Sequence, residues 1–391
     1  MSTTSKQRHA EIAGGGIGGL GLAMMLAADG WSVCVHERSP AIREVGAGLY
    51  IKNNSLRVLE QYGILEALEP HGTWLKFRRI RDARGHLMEE HPTVAHRRCL
   101  VAPRQALVDA LASRARALGV EVVTGSHVTG IEAGGAAPGA LIDKAGARHE
   151  ADLVVCADGV RSALRHALGI PSGFRELNTL IDRFLVDTRS FTPEDVTTEH
   201  WSGRRRIGIT PSGADRTYVY VVMPRNDAAG AALPLDVEDW TRSHPMLRDA
   251  LTILSRAEAT QYPYGLVHCA RWSEGRAAVI GDAAHGLPPT LGQGAGLTLM
   301  NSYALTRTVS GRDDIPEALR EWERTVRFIS DATQRWAVRY DWFTRQWPSV
   351  LAPVRPLIVG AFGRSKYLTE KLRIADRGLD LTPIGFATAA R

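Results

Sequence analysis

From about the tenth residue the chain alternates short apolar runs with stretches whose apolar positions recur every three or four residues. Ala10 to Gly14 is a short apolar run that reads as a strand. Glycine-rich sequence follows, then a helical pattern through Leu20, Met24, Met25 and Leu26 that stops at Gly30. Ser32 to Glu37 (SVCVHE) reads as the next strand. Such a βαβ unit crosses right-handed in nearly all cases and places both strands in one parallel sheet. Arg104 to Leu118 has helical spacing and is closed by Gly119, and Val120 to Thr124 and Ala140 to Asp143 read as strands parted by the turn-rich Gly134 to Gly139. Asp152 to Ala157 (DLVVCA) is unbroken, as expected of a strand covered on both faces.

From about Arg175 to Val267 the pattern changes to alternating strands such as Thr217 to Met223 (TYVYVVM), the mark of an antiparallel sheet. An apolar strand returns at Ala277 to Gly281 (AAVIG), and a helix is expected from about Gly294. A long amphipathic stretch then runs from Ile315 to Trp347, carrying Trp322, Trp336, Trp342 and Trp347. These patterns predict an α/β protein whose first domain is discontinuous, formed by residues 1–70, 100–174 and 268–345. Residues 71–99 and 175–267 form an inserted antiparallel-sheet domain, and residues 346–391 a C-terminal helical segment.

A chain of 391 residues with 44% hydrophobic and 23% charged residues is ordinary for a globular protein. It has no run of eighteen apolar residues, so a membrane-spanning helix is not expected. The start MSTTSKQRHAEIAGGG has no apolar signal core. Cys34, Cys99, Cys156 and Cys269 are scattered without a CxxC pair, which suits reduced thiols in a cytoplasmic protein. The net charge of +6 is spread among interleaved acidic and basic residues, so no nucleic-acid partner is expected; anionic cofactors and an acidic substrate account for the bias.

Three motifs carry the chemistry. Gly14-Gly15-Gly16-Ile17-Gly18-Gly19 satisfies GxGxxG between a strand and a helix, and Glu37 ends the following strand. In such a turn Gly14 permits the bend, Gly16 lets a pyrophosphate approach the backbone, and Gly19 lets helix and strand pack closely. Free N–H groups at the helix start then face the phosphate, while Glu37 can accept both hydroxyls of an adenosine ribose. Asp158-Gly159 follows the strand DLVVCA; it is either a structural turn or, at the carboxyl end of a parallel strand, a ligand contact. Gly281-Asp282-Ala283-Ala284-His285 ends another strand and is followed by Pro288-Pro289 and Gly292-Gln293-Gly294-Ala295-Gly296. Asp282 suits a ribityl hydroxyl, and the glycine run opening the next helix can aim N–H groups at a flavin's pyrimidine carbonyl. His285 is read as a packing or hydrogen-bonding residue rather than a base, because no carboxylate partner is evident.

In this order and spacing the three motifs resemble the FAD-dependent class A aromatic monooxygenases, the p-hydroxybenzoate hydroxylase-like family, with a Rossmann-like FAD-binding domain of the GR2 type. Within it the chain is most similar to the branch acting on hydroxypyridine carboxylates, through AEIAGGG, GWSVCVHE, GAGLYI with SLRVLE, RARALGV, and GDAAH to QGAG. The resemblance implies an enzyme that consumes NADH or NADPH and O2. A flavin hydroperoxide would transfer oxygen to a small hydroxylated aromatic or N-heteroaromatic acid, with ring opening as a further outcome. By the same resemblance Glu37, Arg38 and Arg104 hold FAD, with Asp158 near the pyrophosphate and Asp282 on the ribityl chain. Pro289 and the backbone of Leu291 to Gly294 border the ring, and Gly46-Ala47-Gly48 let it swing.

Arg206, in the segment Arg206 to Pro211, would pair with a substrate carboxylate and Tyr218 would hydrogen-bond ring substituents; the bland alternative is a solvated hairpin edge at Arg204 to Arg206. Tyr50 faces the ring pocket or the core. Phe77 stands where the pyridine branch has a substrate-contacting tyrosine, which would remove a hydroxyl. His86, His91 and His96 recur every five residues and share no helical face, so no metal site is expected. GxSxG is absent, which removes a hydrolase nucleophile elbow. A flavin reductase that never activates oxygen, a halogenase (its WxWxIP segment is absent) and a non-catalytic FAD-binding protein are the competing readings. A monomer or homodimer is expected.

Overall fold

The computed structural model describes residues 7–43, 48–94, 97–191, 194–345, 347 and 354–376. Gly46 and Ala47 of the expected hinge, and His96, lie outside them.

The unbroken apolar runs assemble into a six-stranded sheet. Its order is Ser273–Glu274, Ala277–Val279, Leu153–Cys156, His9–Ala13, Ser32–Glu37 and Glu121–Thr124. Every neighbouring pair is parallel except the first. Leu153–Cys156 and Ala277–Val279 are buried at every position, as strands covered on both faces must be. The helix Ile17–Ala28 is apolar nearly all round and is correspondingly enclosed, packing against the helices Arg104–Ala117 and Gly294–Ser310. A Cβ on Gly21 would stand 2.8 Å from Leu299 Cδ2, so the approach of the first and last of these helices depends on a bare backbone there. A small antiparallel meander, Val128–Glu132, Gly139–Asp143 and Arg148–Ala151, packs beside the sheet.

The alternating strands form a second sheet of seven. Its order is Thr260–Cys269, Ser172–Val186, Thr217–Met223, Arg205–Pro211, Val196–Ser202, Phe77–Asp82 and Leu87–Pro92. It departs from the purely antiparallel expectation at one place: Val196–Ser202 and Phe77–Asp82 run parallel. Parallel neighbours need a long crossover, and more than a hundred residues, including two strands of the six-stranded sheet, lie between these two. Thr217–Met223 is buried along its whole length. Its alternation sorts side chains between two covered faces. Val219, Val221 and Met223 join Trp240, Leu251 and Leu254 beneath the short helices Val237–Ser243 and Arg248–Leu254. Tyr218, Tyr220 and Val222 join Ile181 and Tyr264 on the other face. That second face is the one that looks toward the cofactor-type motifs.

The amphipathic stretch is a single helix, Ile315–Arg345, with Ile315, Ala318, Leu319, Trp322, Val326 and Ile329 buried at helical spacing. It buries Trp322, whose Nε1 donates to the Asn301 carbonyl (2.9 Å), but leaves Trp342 exposed. Two shorter helices follow, Arg355–Arg364 and Lys366–Leu372. Cys34, Cys156 and Cys269 are buried. Among the described residues no helix is long and apolar enough to cross a membrane.

Candidate active site

A cavity of about 1100 Å³ runs from the carboxyl ends of the parallel strands to the tyrosine-bearing face of the seven-stranded sheet. Among the described residues that the sequence singled out for cofactor or substrate contact, all line it except Gly19, Phe77 and Gln293.

At the parallel-sheet end the geometry is that of a dinucleotide cradle. Gly14 has φ +116°, and a Cβ there would sit 2.3 Å from the Ala157 carbonyl oxygen. A Cβ on Gly19 would sit 1.8 Å from the Gly14 oxygen, so Gly19 serves helix–strand packing rather than the cavity wall. The helix Ile17–Ala28 begins at Gly16 with no side-chain cap and no acidic residue in its first turn, which leaves its N–H groups available to an anion. Glu37 accepts from the N–H of Gly15 (2.8 Å) and of Ser39 (2.8 Å), so its carboxylate props the glycine turn. Each oxygen keeps a further lone pair for a ribose hydroxyl. Arg38 is exposed on the cavity wall, and Arg104 opens the helix Arg104–Ala117.

Asp158 and Asp282 are placed differently. Asp158 Oδ2 accepts from the Leu164 N–H (3.3 Å), while Oδ1 is buried without a hydrogen-bond partner among the described residues. Asp282 is the first residue of the helix Asp282–His285 and is exposed to the cavity, set there by Gly281 at φ +61°. Gly292 is left-handed at φ +58° and closes the turn Pro289–Leu291, and the Lys52 Nζ donates to the Leu291 carbonyl (2.6 Å). A bare-backbone cradle, a partnerless buried carboxylate oxygen and an exposed aspartate at a second strand end fit the phosphates and ribityl hydroxyls of FAD. The Gln293 side chain does not face this site: its Nε2 donates to Asp376 (2.6 Å) and its Oε1 accepts from Asn54 (3.2 Å). It ties the last helix to the turn instead.

A family model described as "FAD binding domain" matches residues 8–310. The chain belongs to that family of FAD-dependent monooxygenases. A putative 2-heptyl-3-hydroxy-4(1H)-quinolone synthase of Rhodococcus erythropolis is 35% identical, over 94% of this chain and 96% of that one. A 2-heptyl-3-hydroxy-4(1H)-quinolone synthase of Mycobacteroides abscessus is 36% identical, over 92% and 95%. Among solved structures, the tetrameric form of 2-methyl-3-hydroxypyridine-5-carboxylic acid oxygenase superposes with a TM-score of 0.83 at 29% identity, covering 95% of this chain and 97% of that one.

The monooxygenase's second cavity end is lined by phenols and a buried charge network. Tyr50 Oη lies 2.9 Å from Thr197 Oγ1 and 2.5 Å from Thr210 Oγ1, and the two threonine hydroxyls are 2.6 Å apart. Tyr218 stands edge-on to Tyr50 at 6.2 Å and beside Tyr220 at 5.8 Å. Burial pushes the phenols of Tyr50, Tyr218, Tyr220 and Tyr264 above their ordinary range, so all four stay protonated hydrogen-bonding groups at neutral pH.

Arg206 is neither a solvated hairpin residue nor a free cation. It is 5% exposed, its Nη2 donates to Tyr264 Oη (3.3 Å), and its Nη1 is 3.8 Å from Glu199 Oε2. Its Nε and Nη1 have no hydrogen-bond partner among the described residues. Glu199 also takes Arg78 Nη2 (3.3 Å) and Trp201 Nε1 (2.8 Å). Burial would raise this carboxyl, but Arg78 and Arg206 overcome it and hold Glu199 at about 2. Two arginines therefore flank a buried anion that the sequence reading missed. The signal was present in the strand HWS…RRI pairing, since a buried arginine needs a carboxylate nearby.

One other expectation changes. Phe77 does not line the cavity; it sits under the Arg79 guanidinium, and its neighbour Arg78 takes the cavity position. The missing hydroxyl thus removes nothing from the pocket. His285 is also off the cavity wall, buried against Trp272, with Asn301 Nδ2 donating to its Nε2 (3.0 Å) and burial lowering it to about 4. A carboxylate–imidazole pair does exist elsewhere: Glu89 and His91 contact each other and both line the cavity. Their i, i+2 spacing on the strand Leu87–Pro92 points both to one face.

Proposed function

We propose that the enzyme hydroxylates a neutral N-heteroaromatic ring of the 4-quinolone type, carrying an alkyl group beside the ring nitrogen. In this reading FAD is held by Gly14, Gly16, Ile17, Gly18, Glu37, Arg38, Gly48, Arg104, Asp158, Gly281, Asp282, Pro289, Gly292, Gly294 and Ala295. Residues 71–99 and 175–267 present the substrate. Bound FAD supplies the activation of O2 at the expense of NAD(P)H. The balance is NAD(P)H, a proton, O2 and a ring C–H giving NAD(P)+, water and a ring C–OH.

The observation that carries the reading is the pairing of Arg206 with Glu199. A substrate carboxylate brought to Arg206 would meet a buried anion already in place, which like-charge repulsion disfavours. A neutral ring oxygen would instead accept from the unpartnered Nε and Nη1. The relatives named as quinolone synthases support the ring class.

The carbon between the ring carbonyl and the nitrogen-bearing carbon of a 4-quinolone is nucleophilic through the nitrogen lone pair, so no phenol has to be ionised first. That matches a wall of phenols held protonated. The hydroxyl triangle of Tyr50, Thr197 and Thr210 orients the ring edge, and the Glu89–His91 pair is the titratable group offered for the proton that leaves the attacked carbon.

The test is ligand-stimulated NAD(P)H oxidation by the FAD-loaded enzyme, with 18O2 incorporation read by mass spectrometry. 2-Heptyl-4(1H)-quinolone is expected to stimulate and to be labelled, and Arg206→Met to keep FAD while losing about 10–100-fold in kcat/KM. Stimulation by hydroxypyridine or hydroxybenzoate carboxylates in its place would move the assignment to the acid class, which the pyridine oxygenase likeness favours. Reduction of substrate without oxygen uptake would make the enzyme a reductase.

A further inference from the structure

We infer that the helices Arg355–Arg364 and Lys366–Leu372 set the length of alkyl chain the enzyme accepts, with Phe362 and Leu372 as the residues that measure it. The inference rests on the quinolone reading above and adds the determinant of selectivity within that class.

The cavity wall divides by chemistry. Around Tyr50, Thr197, Glu199 and Arg206 it offers hydroxyls and charges. Toward the C-terminal helices it offers Leu287, Leu291, Tyr340, Phe362 and Leu372, all members of one apolar cluster that includes Ile80 and Trp201, with Thr369, Arg373 and Asp376 as the polar residues of that segment on the wall. Leu287, Phe362 and Leu372 are only partly buried by the protein. Apolar surface facing a cavity gains free energy when a ligand's methylenes cover it. An alkyl chain laid at the polar end would instead strip solvent from the Glu199–Arg206 pair without replacing its hydrogen bonds. The head of a 2-alkyl quinolone therefore belongs with the hydroxyls and its tail with the helices.

The helices are held firmly enough to act as a stop. Arg355 donates to the carbonyls of Gly203 (3.0 Å) and Thr344 (2.9 Å), fixing the start of the first helix. Asp376 accepts from Gln293 (2.6 Å), fixing the far end of the second. Phe362 stacks on Phe343 at 4.7 Å and 19°, so its ring is braced from behind. A Cβ on Gly363 would lie 2.5 Å from Glu89 Oε1, so the first helix already abuts the strand Leu87–Pro92 and has no room to move inward.

The experiment measures kcat/KM of the FAD-loaded enzyme for 2-methyl-, 2-pentyl-, 2-heptyl- and 2-undecyl-4(1H)-quinolone, with flavin absorbance confirming that each variant is folded. Wild type is expected to prefer heptyl over methyl by at least about tenfold. Phe362→Trp should cut that ratio by about tenfold or more, and Phe362→Ala should move the optimum toward undecyl. Leu372→Trp provides the same test if Phe362→Trp fails to retain flavin. A wild-type ratio near one, or a ratio unchanged in both tryptophan variants, overturns the assignment while leaving the quinolone reading intact. Failure of every quinolone to stimulate NAD(P)H oxidation overturns the quinolone reading itself, and the tail assignment with it.

Discussion

Glu199 lies diagonally across an antiparallel ladder from Arg206, since Glu199 pairs with Gly208 and Arg206 with Trp201, and the two side chains meet at 3.8 Å with neither more than 7% exposed. Arg78 arrives on Glu199 from the neighbouring parallel strand. One anion is thus shared by two arginines, the three side chains coming from three adjacent strands.

Removing that anion should be costly. Glu199→Ala leaves the buried Arg206 and the half-buried Arg78 without their counter-charge, a change worth roughly 3–5 kcal/mol when a buried pair is broken. Urea unfolding of the FAD-loaded protein measures it, and a loss under about 1 kcal/mol would mean that water or another carboxylate takes over. The same group makes a pH prediction. Glu199 is held at about 2, below its ordinary 4.5, so its contribution is complete above about 4.5 and disappears as pH falls through about 2. In Glu199→Gln this part of the acid destabilisation should be missing.

The glycine cradle makes a prediction with an internal control. Gly14→Ala forces a Cβ to 2.3 Å from the Ala157 oxygen at a φ of +116°, where neither backbone can yield without opening the turn. Gly30→Ala meets nothing within 4 Å and carries only the strain of a positive φ, about 1 kcal/mol. Purified Gly14→Ala should lack flavin absorbance, while Gly30→Ala should stay yellow with a modestly lower Tm. Equal flavin content in the two would remove the glycine turn from the cofactor site.

Much of this is legible in the sequence, and the division follows physical lines. Backbone-determined features read directly: Ser32–Glu37 and Thr217–Met223 have the bounds expected from their patterns, and the turns at Gly14, Gly281 and Gly292 need their glycines for backbone reasons. The parallel pairing of Phe77–Asp82 with Val196–Ser202 was not legible, because it joins segments more than a hundred residues apart and no local periodicity encodes it. The partner of Arg206 was missed for a different reason: Glu199 faces it across the adjoining strands Val196–Ser202 and Arg205–Pro211, whose register the pattern alone did not fix, and only Arg78 arrives on Glu199 through the long-range pairing. Gln293 was read for its backbone beside the ring; its side chain, about which the pattern said nothing, is drawn away by Asn54 and Asp376.

His285 should not control the pH dependence of turnover. Burial lowers it to about 4, Asn301 donates to its Nε2, and it lies off the cavity wall. His285→Gln should leave the shape of the kcat/KM profile between about pH 6 and 9 unchanged while lowering stability by about 1–3 kcal/mol through lost packing on Trp272. Disappearance of an ionisation in that range would make it a base after all.

Asp182 offers the sharpest stability test away from the site. It is fully buried on the strand Ser172–Val186, and neither carboxylate oxygen has a hydrogen-bond partner among the described residues. Leu180 and Phe184, two residues to either side on the same face, pack into the apolar cluster around Trp240. Burial accordingly raises its carboxyl from 3.8 to about 6. A folded state that holds its proton more tightly than the unfolded chain is favoured most below about 3.8, and loses that advantage as pH climbs to about 6. Asp182→Asn cannot ionise. Its stability relative to wild type should therefore improve by roughly 1–3 kcal/mol across that window and stay level above it. Parallel urea titrations of the two proteins from acid to neutral pH read the difference directly, and a gap that does not change with pH would show that Asp182 titrates normally, with water reaching its carboxylate.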